Sequence, residues 1–188
     1  MIKELINSIH PISINSLKEI ERILEYKIVK KGETFIKRNR KNKKEYFILE
    51  GICRSYLTNP QGEEITITFF TSNSVLSPHS IRTINETSVL NFQALTTVKF
   101  AAMDALKFEQ LMVDKRDIRR FGNTVMRNEL ARKVDKEIGL VSLTAKERLL
   151  KFRAQYPLLE NLIPHPIIAS YLGITNISLS RIRGDLAR

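Results

Sequence analysis

The sequence predicts an α+β chain: an antiparallel β-roll or sandwich with flanking helices, then one long helix, then a C-terminal helical domain. Three observations carry this. Between Tyr26 and Met103, short apolar and β-branched runs alternate with turn signals such as Lys31-Gly32-Glu33 and Asn59-Pro60-Gln61-Gly62. From Lys115 to Val141 no proline interrupts a helical pattern. From Thr144 onward, helix caps, a glycine stop and a second apolar stripe follow in quick succession. The expected division is 1–113 for the β domain, 114–141 for the long helix and 142–188 for the helical domain.

Composition limits what such a chain does. Its 188 residues are 43% hydrophobic and 27% charged, ordinary for a globular protein with a real core. No apolar stretch reaches the roughly 18 residues that a membrane span requires. The opening segment, MIKELINSIHPISIN, lacks the apolar run and cleavage site of a secretory signal. One cysteine, Cys53, forms no internal disulfide, so a reducing cytoplasm is expected. The net charge of +11 favours an acidic partner. It is uneven: residues 1–110 carry net +4 and residues 111–188 carry net +7 in a shorter segment. One dense basic run, Lys37 to Lys44, reads as a solvated hairpin tip, with a supplementary phosphate contact as the other reading.

The elements follow in order. Ser16-Leu17-Lys18-Glu19 has the form of a capping box, and Leu17, Ile20 and Leu24 recur on one helical face. From Tyr26 the pattern turns to strands. Thr34-Phe35-Ile36, Tyr46 to Leu49 and Ile52 to Leu57 are apolar or β-branched runs. Ile65, Ile67 and Phe69 alternate with Thr66, Thr68 and Phe70, as in a half-buried strand. Thr71 to Val98 gives a weak signal, rich in Ser, Asn and Thr, with strand returning at Phe92–Leu95 and Val98–Met103. Asp104 caps a short helix through Phe108 and Leu111.

In the long helix, Ile118, Phe121 and Val125 are spaced as a coiled-coil seam requires, and Leu130, Val134, Ile138 and Val141 continue an apolar face. The five-residue step from Val125 to Leu130 breaks a strict heptad, so packing on the chain's own β domain is the alternative. Self-association through this helix is expected, because a helix this long needs a partner surface.

The last third is the most specific. Thr144-Ala145-Lys146-Glu147 is a second capping box, opening a helix that stops before Pro157. After Pro164-His165-Pro166, a helix runs to Gly173, with Ala169 small where two helices cross. Thr175 caps the next helix, whose Leu179, Ile182 and Leu186 form the buried stripe. This is a helix-turn-helix pattern. On the opposite face lie Ile177, Arg181 and Arg188, flanked by Asn176 and Ser180. A bare isoleucine among arginines suits a major groove. Arg181 can donate twice to guanine O6 and N7, Ile177 can touch a thymine methyl, and Asn176 can read adenine. Thr175, Ser178 and Arg183 suit phosphates, which position rather than specify. The alternative is a helical hairpin with a solvated face.

These residues resemble the Crp/Fnr transcription regulators over nearly the whole chain. Lys31-Gly32-Glu33-Thr34-Phe35, Tyr46 to Arg54 and Gly62-Glu63-Glu64 are similar to that family's cyclic-nucleotide-binding-type β-roll, a double-stranded, jelly-roll-like domain. Residues 115–141 resemble its dimer helix, and Ile168–Thr175 with Leu179–Arg183 its DNA-reading motif. The resemblance implies that Asn176, Ile177 and Arg181 fall where the family contacts bases. It also implies a homodimer on palindromic double-stranded DNA, with no membrane partner.

Two departures shape the expectation. Nucleotide-binding members hold the ribose with a Gly-Glu pair and the cyclic phosphate with an arginine. Residues 74–91 carry neither, and Arg82 is out of register, so cAMP is not the expected signal and the ligand-binding residues stay unassigned. The sequence also stops at Arg188, where many relatives continue, so a full wing is not expected. No cofactor is expected: one cysteine cannot hold an iron–sulfur cluster, and His10, His79 and His165 are scattered. A cupin-type enzyme would need a clustered metal site, and no catalytic or metal residues are assigned. The remaining rival is a ligand-binding or protein-interaction module whose helix-turn-helix no longer meets DNA. An unidentified small-molecule effector, acting through the 74–91 loop on the long helix, completes the expected mechanism.

Overall fold

The computed structural model describes residues 1–187, so Arg188 lies outside the described residues. Two helices open the chain, α1 (Ile2–Ile9) and α2 (Ile14–Arg22). The cap of α2 differs from expectation. Ser13, not Ser16, accepts the Ser16 N–H at the helix start, and the Ser16 hydroxyl donates to Asp117 Oδ1 at 2.7 Å. A long-range carboxylate outcompetes the local capping box, which the sequence does not show.

Ten strands follow, broken once by a short helix: β1 (Glu25–Val29), β2 (Thr34–Ile36), β3 (Lys44–Glu50), β4 (Cys53–Thr58), β5 (Glu64–Phe70), β6 (Ser74–Val75), α3 (His79–Arg82), β7 (Thr83–Ile84), β8 (Thr87–Ser88), β9 (Asn91–Ala94) and β10 (Val98–Asp104). They form two four-stranded sheets, ordered β1-β10-β3-β6 and β2-β9-β4-β5, and a β7-β8 hairpin. The weak stretch 71–91 is built of two-residue strands, too short for periodicity to register. Its hairpin turns on Asn85 and Glu86, both at positive φ, as a tight β-hairpin requires. Gly51, at φ +93, joins β3 to β4; a Cβ there would lie 2.2 Å from the Thr97 carbonyl oxygen. Glycine is therefore obligatory at that corner.

Alternation along β3 and β10 places the core on both faces of one sheet. Phe47, Leu49, Ala101 and Met103 meet α1, α2 and later helices in one cluster. Tyr46, Ile48, Phe100 and Ala102 point into the roll, among Phe70 and Phe92. Phe35 stacks on Phe100 at 5.4 Å between ring centres and is edge-on to Tyr46 at 6.2 Å.

Five longer helices and one short one complete the described residues: α4 (Ala105–Asp114), α5 (Arg116–Ser142), α6 (Ala145–Gln155), α7 (Leu159–Leu162), α8 (His165–Leu172) and α9 (Asn176–Leu186), α7 being the short one. Asp104 caps α4 and the Thr144–Glu147 capping box forms as the sequence predicts. The 27-residue α5 resolves the ambiguity of its apolar face. Ile118 and Phe121 are buried in the first core and Val125 packs on it, whereas Leu130, Val134, Ile138 and Val141 are exposed. The five-residue step separates a half serving the chain's own core from a half without cover in the single chain.

The chain divides into two compact units. The first is Met1–Ser55 with Phe69–Leu130; the second joins Tyr56–Thr68 to the residues from Ala131 onward. The second unit has its own core of Leu149, Phe152, Leu159, Ile168, Ala169, Leu172 and Leu179. Into it enters the tip of the β4–β5 hairpin: Ser170 Oγ donates to Thr66 Oγ1 at 2.9 Å and accepts the Thr66 N–H at 3.2 Å.

Candidate nucleic-acid interface

The site is built by the way α8 ends and α9 begins. Gly173 takes φ +67, its N–H bonds the Ser170 carbonyl, and the Ile174 N–H reaches back to the Ala169 carbonyl at 3.1 Å. This is a Schellman stop, and it fixes the turn. Arg148 braces it, donating from Nε to the Leu172 carbonyl at 2.9 Å and from Nη1 to the Leu143 carbonyl at 2.6 Å. Thr175 then starts α9: its Oγ1 accepts the Ser178 N–H at 3.1 Å and lies 2.9 Å from Ser178 Oγ.

Leu179 is fully buried, and Ile182 and Leu186 are half-buried beside it. On the other side Asn176, Ile177, Ser180 and Arg181 are exposed, as is Thr175 at the turn; Ser178 is half-buried. Ile177 is 75% exposed, a large apolar side chain held out into water by a helix whose opposite face is buried. Arg183 sits differently. Its Nε lies 2.6 Å from Glu160 Oε1 and its Nη1 is 3.0 Å from His165 Nδ1. Glu160 also takes Nε and Nη2 of Arg153 at 2.6 and 3.1 Å. The Arg153 hydrogen bond and the two guanidinium charges hold the Glu160 carboxyl below its usual range despite partial burial. Arg183 therefore ties α9 to α7. No local spacing marks this pair, which is 23 positions apart, so Glu160 and Arg148 are functional supports that sequence reasoning misses.

Inside the β-roll, Arg82 fills a central position. It is 1% exposed, with its guanidinium carbon 5.2 Å from the Tyr46 ring centre and 5.9 Å from that of Phe92. Its Nε donates to the Ser77 carbonyl at 2.9 Å, Nη1 to Asn42 Oδ1 at 2.8 Å and Nη2 to the Lys44 carbonyl. Glu45 accepts the His79 N–H on both oxygens at 2.9 Å, and burial raises its carboxyl to about 7 against the opposing pull of Arg82. His79 Nε2 is 2.8 Å from the Asn42 carbonyl, a structural role. Ser77 donates to the buried Glu129 of α5 at 2.5 Å, so the loop between β6 and α3 is bonded to the long helix. Among the described residues, no three His, Cys, Asp or Glu side chains converge as a metal-binding group. No helix of the described residues is long and apolar enough to cross a membrane.

Residues 26–115 match the family model described as the cyclic nucleotide-binding domain. FixK2 from Bradyrhizobium japonicum superposes with a TM-score of 0.75 at 19% identity, over 88% of this chain and 85% of that one. A transcriptional regulator of the Crp/Fnr family from Eubacterium rectale gives 0.72 at 19% identity, over 91% and 82%. This chain has the Crp/Fnr fold. The Crp/Fnr arrangement extends to the c-di-GMP-responsive global regulator CLP of Xanthomonas campestris, at a TM-score of 0.72 and 12% identity over 93% and 92%. No curated protein matches the sequence.

Proposed function

We propose that this chain is a Crp/Fnr-type transcription regulator that binds palindromic double-stranded DNA as a homodimer in the cytoplasm, is not an enzyme, and does not answer to cAMP. The observation that carries the reading is Ile177, 75% exposed on α9 between the exposed Asn176 and Arg181. Folding gains nothing from an uncovered isoleucine, whereas a major groove offers it thymine methyls and offers Arg181 a guanine edge. Thr175, Ser178 and Ser180 supply hydroxyls for phosphates along the same edge. Arg183 acts one step back, holding α9 through Glu160.

Dimerisation rests on the exposed half of α5. Leu130, Val134, Ile138 and Val141 follow one another at intervals of four, four and three, the spacing of a helix-to-helix seam. Two copies joined there would present two α9 helices to successive major grooves, about 34 Å apart. The Ser77–Glu129 bond offers a route by which a change in the 74–91 loop would bias α5. Insensitivity to cAMP follows from Arg82, whose donors already serve Ser77, Asn42 and Lys44.

Selection from a random double-stranded DNA pool at physiological salt, without added ligand, tests the function. A two-fold symmetric motif with half-sites about one helical turn apart is the expected result. Recovery of no motif by a folded, dimeric protein would leave a module whose helix-turn-helix no longer meets DNA.

A further inference from the structure

A concavity of the second unit, 390 Å³, opens between the end of α5, α6, α8 and the hairpin residues Ile67 and Thr68. That volume lies in the range of small-ligand sites. One wall is aromatic: Phe152, Tyr156 and Tyr171 pack with ring centres 5.5 to 6.2 Å apart. Leu140 and Leu172 extend the apolar lining. The other feature is cationic. Lys136 Nζ stands 3.9 Å from the centre of the Tyr171 ring and donates to the Ile67 carbonyl at 2.5 Å. An ammonium has three N–H groups, and these contacts, one hydrogen bond and one ring face, balance none of its charge with an anion.

Two further basic groups of the lining are committed elsewhere. Arg148 serves the Leu172 and Leu143 carbonyls, and Lys151 pairs with Asp135 at 2.6 Å. The cavity thus offers an apolar, ring-lined body and a half-buried ammonium at one end. We propose that it binds an amphipathic monocarboxylate, with the hydrocarbon against the Phe152–Tyr156–Tyr171 rings and the carboxylate on Lys136 Nζ. Burial, with the charge of Lys133 nearby, depresses the ammonium to about 8, and a bound anion would reverse that cost. The proposal is independent of DNA binding, because it concerns occupancy of the cavity alone.

Isothermal titration of the full chain with octanoate, and with octanol and octylamine as neutral and cationic counterparts, tests it. Octanoate is expected to bind saturably, one per chain, about tenfold more tightly than octanol. Lys136→Met keeps the aliphatic stem and removes the charge. It should weaken octanoate about tenfold and leave octanol unchanged. Gly139 lines the same cavity, with room at ordinary contact distance from Leu143 and Lys151, so Gly139→Met should fill it and reduce both affinities. Absence of saturable octanoate binding to the parent protein would overturn the proposal. So would equal octanoate affinity in either folded variant. Parallel sedimentation covers the competing occupant: octanoate that binds only by dissociating a dimer would assign this face to a second copy and also overturn it.

Discussion

The guanidinium of Arg82 lies over the ring of Tyr46, 5.2 Å from its centre, inside the β-roll. It donates to two backbone carbonyls and to the Asn42 amide oxygen. Glu45 supplies the nearby counter-charge. Arg82 is therefore a structural cation in the interior of the roll. Arg82→Met should destabilise the protein by about 2–4 kcal/mol, because it orphans buried acceptors. Saturating cAMP should leave the melting temperature of the parent protein unchanged. A shift of several degrees would show that the nucleotide displaces Arg82.

Glu45 sets a pH dependence of unusual sign. Its folded pKa, about 7, exceeds the ordinary carboxyl value of 4.5, so the folded state holds a proton that the unfolded chain has lost. Its contribution therefore falls as pH rises from about 4.5 to 7 and is level above that. Glu45→Gln keeps an acceptor for the His79 N–H and removes the titration. Chemical denaturation should find Glu45→Gln more stable than the parent at pH 8, on the order of 1–2 kcal/mol, and the difference should vanish near pH 4.5.

The two arginines of α9 should separate in a DNA-binding assay. Arg181→Ala should cost about 1–3 kcal/mol of specific binding and relax preference at one base position. Glu160→Gln removes the carboxylate that holds Arg183 and Arg153, so its first effect should be on the melting temperature, with base preference unchanged. Equal base preference in Arg181→Ala and the parent would remove Arg181 from the reading face.

The exposed half of α5 predicts an oligomeric phenotype. Ile138 is 58% exposed in the single chain, so Ile138→Asp should leave the monomer folded. A charge buried at a helix seam without a partner is costly, so the dimer should weaken by about 3 kcal/mol or more. Sedimentation velocity across a dilution series reads this directly; an unchanged dimer would place the interface elsewhere.

Gly173→Ala tests the turn. A Cβ there would meet only Leu140 Cδ2, at an ordinary 3.5 Å, so the cost is that of the left-handed backbone, about 1–2 kcal/mol. The loss should appear as a lower denaturation midpoint with the fold retained.

Much of this was legible in the sequence because the signals were local. Caps at Asp104, Thr144 and Thr175 lie within three residues of the amides they serve, and the Gly173 stop closes within five. The exposed edge of α9 follows from period alone, whereas Tyr46 to Leu49 is apolar throughout and buried on both faces. What escaped was non-local. Ser16 looks like a cap until Asp117, 101 positions away, claims its hydroxyl. The ion pair of Arg183 with Glu160, 23 positions away, leaves no mark in the local sequence. Arg82 reads as out of register, yet α3 carries it into the roll.

The hairpin tip has a consequence for how the chain is made. Thr66 leaves the ribosome 104 residues before Ser170, the side chain it bonds. The second unit thus cannot be completed in order of synthesis: its first piece must wait, with the buried face of Tyr56 and Thr66 unprotected, until nearly all the chain has emerged. A fragment beginning at Ala131 would carry the helix-turn-helix but lack a wall of its own core. Cutting this protein at the apparent boundary is thus expected to yield a sticky, half-formed fragment rather than a portable reading head.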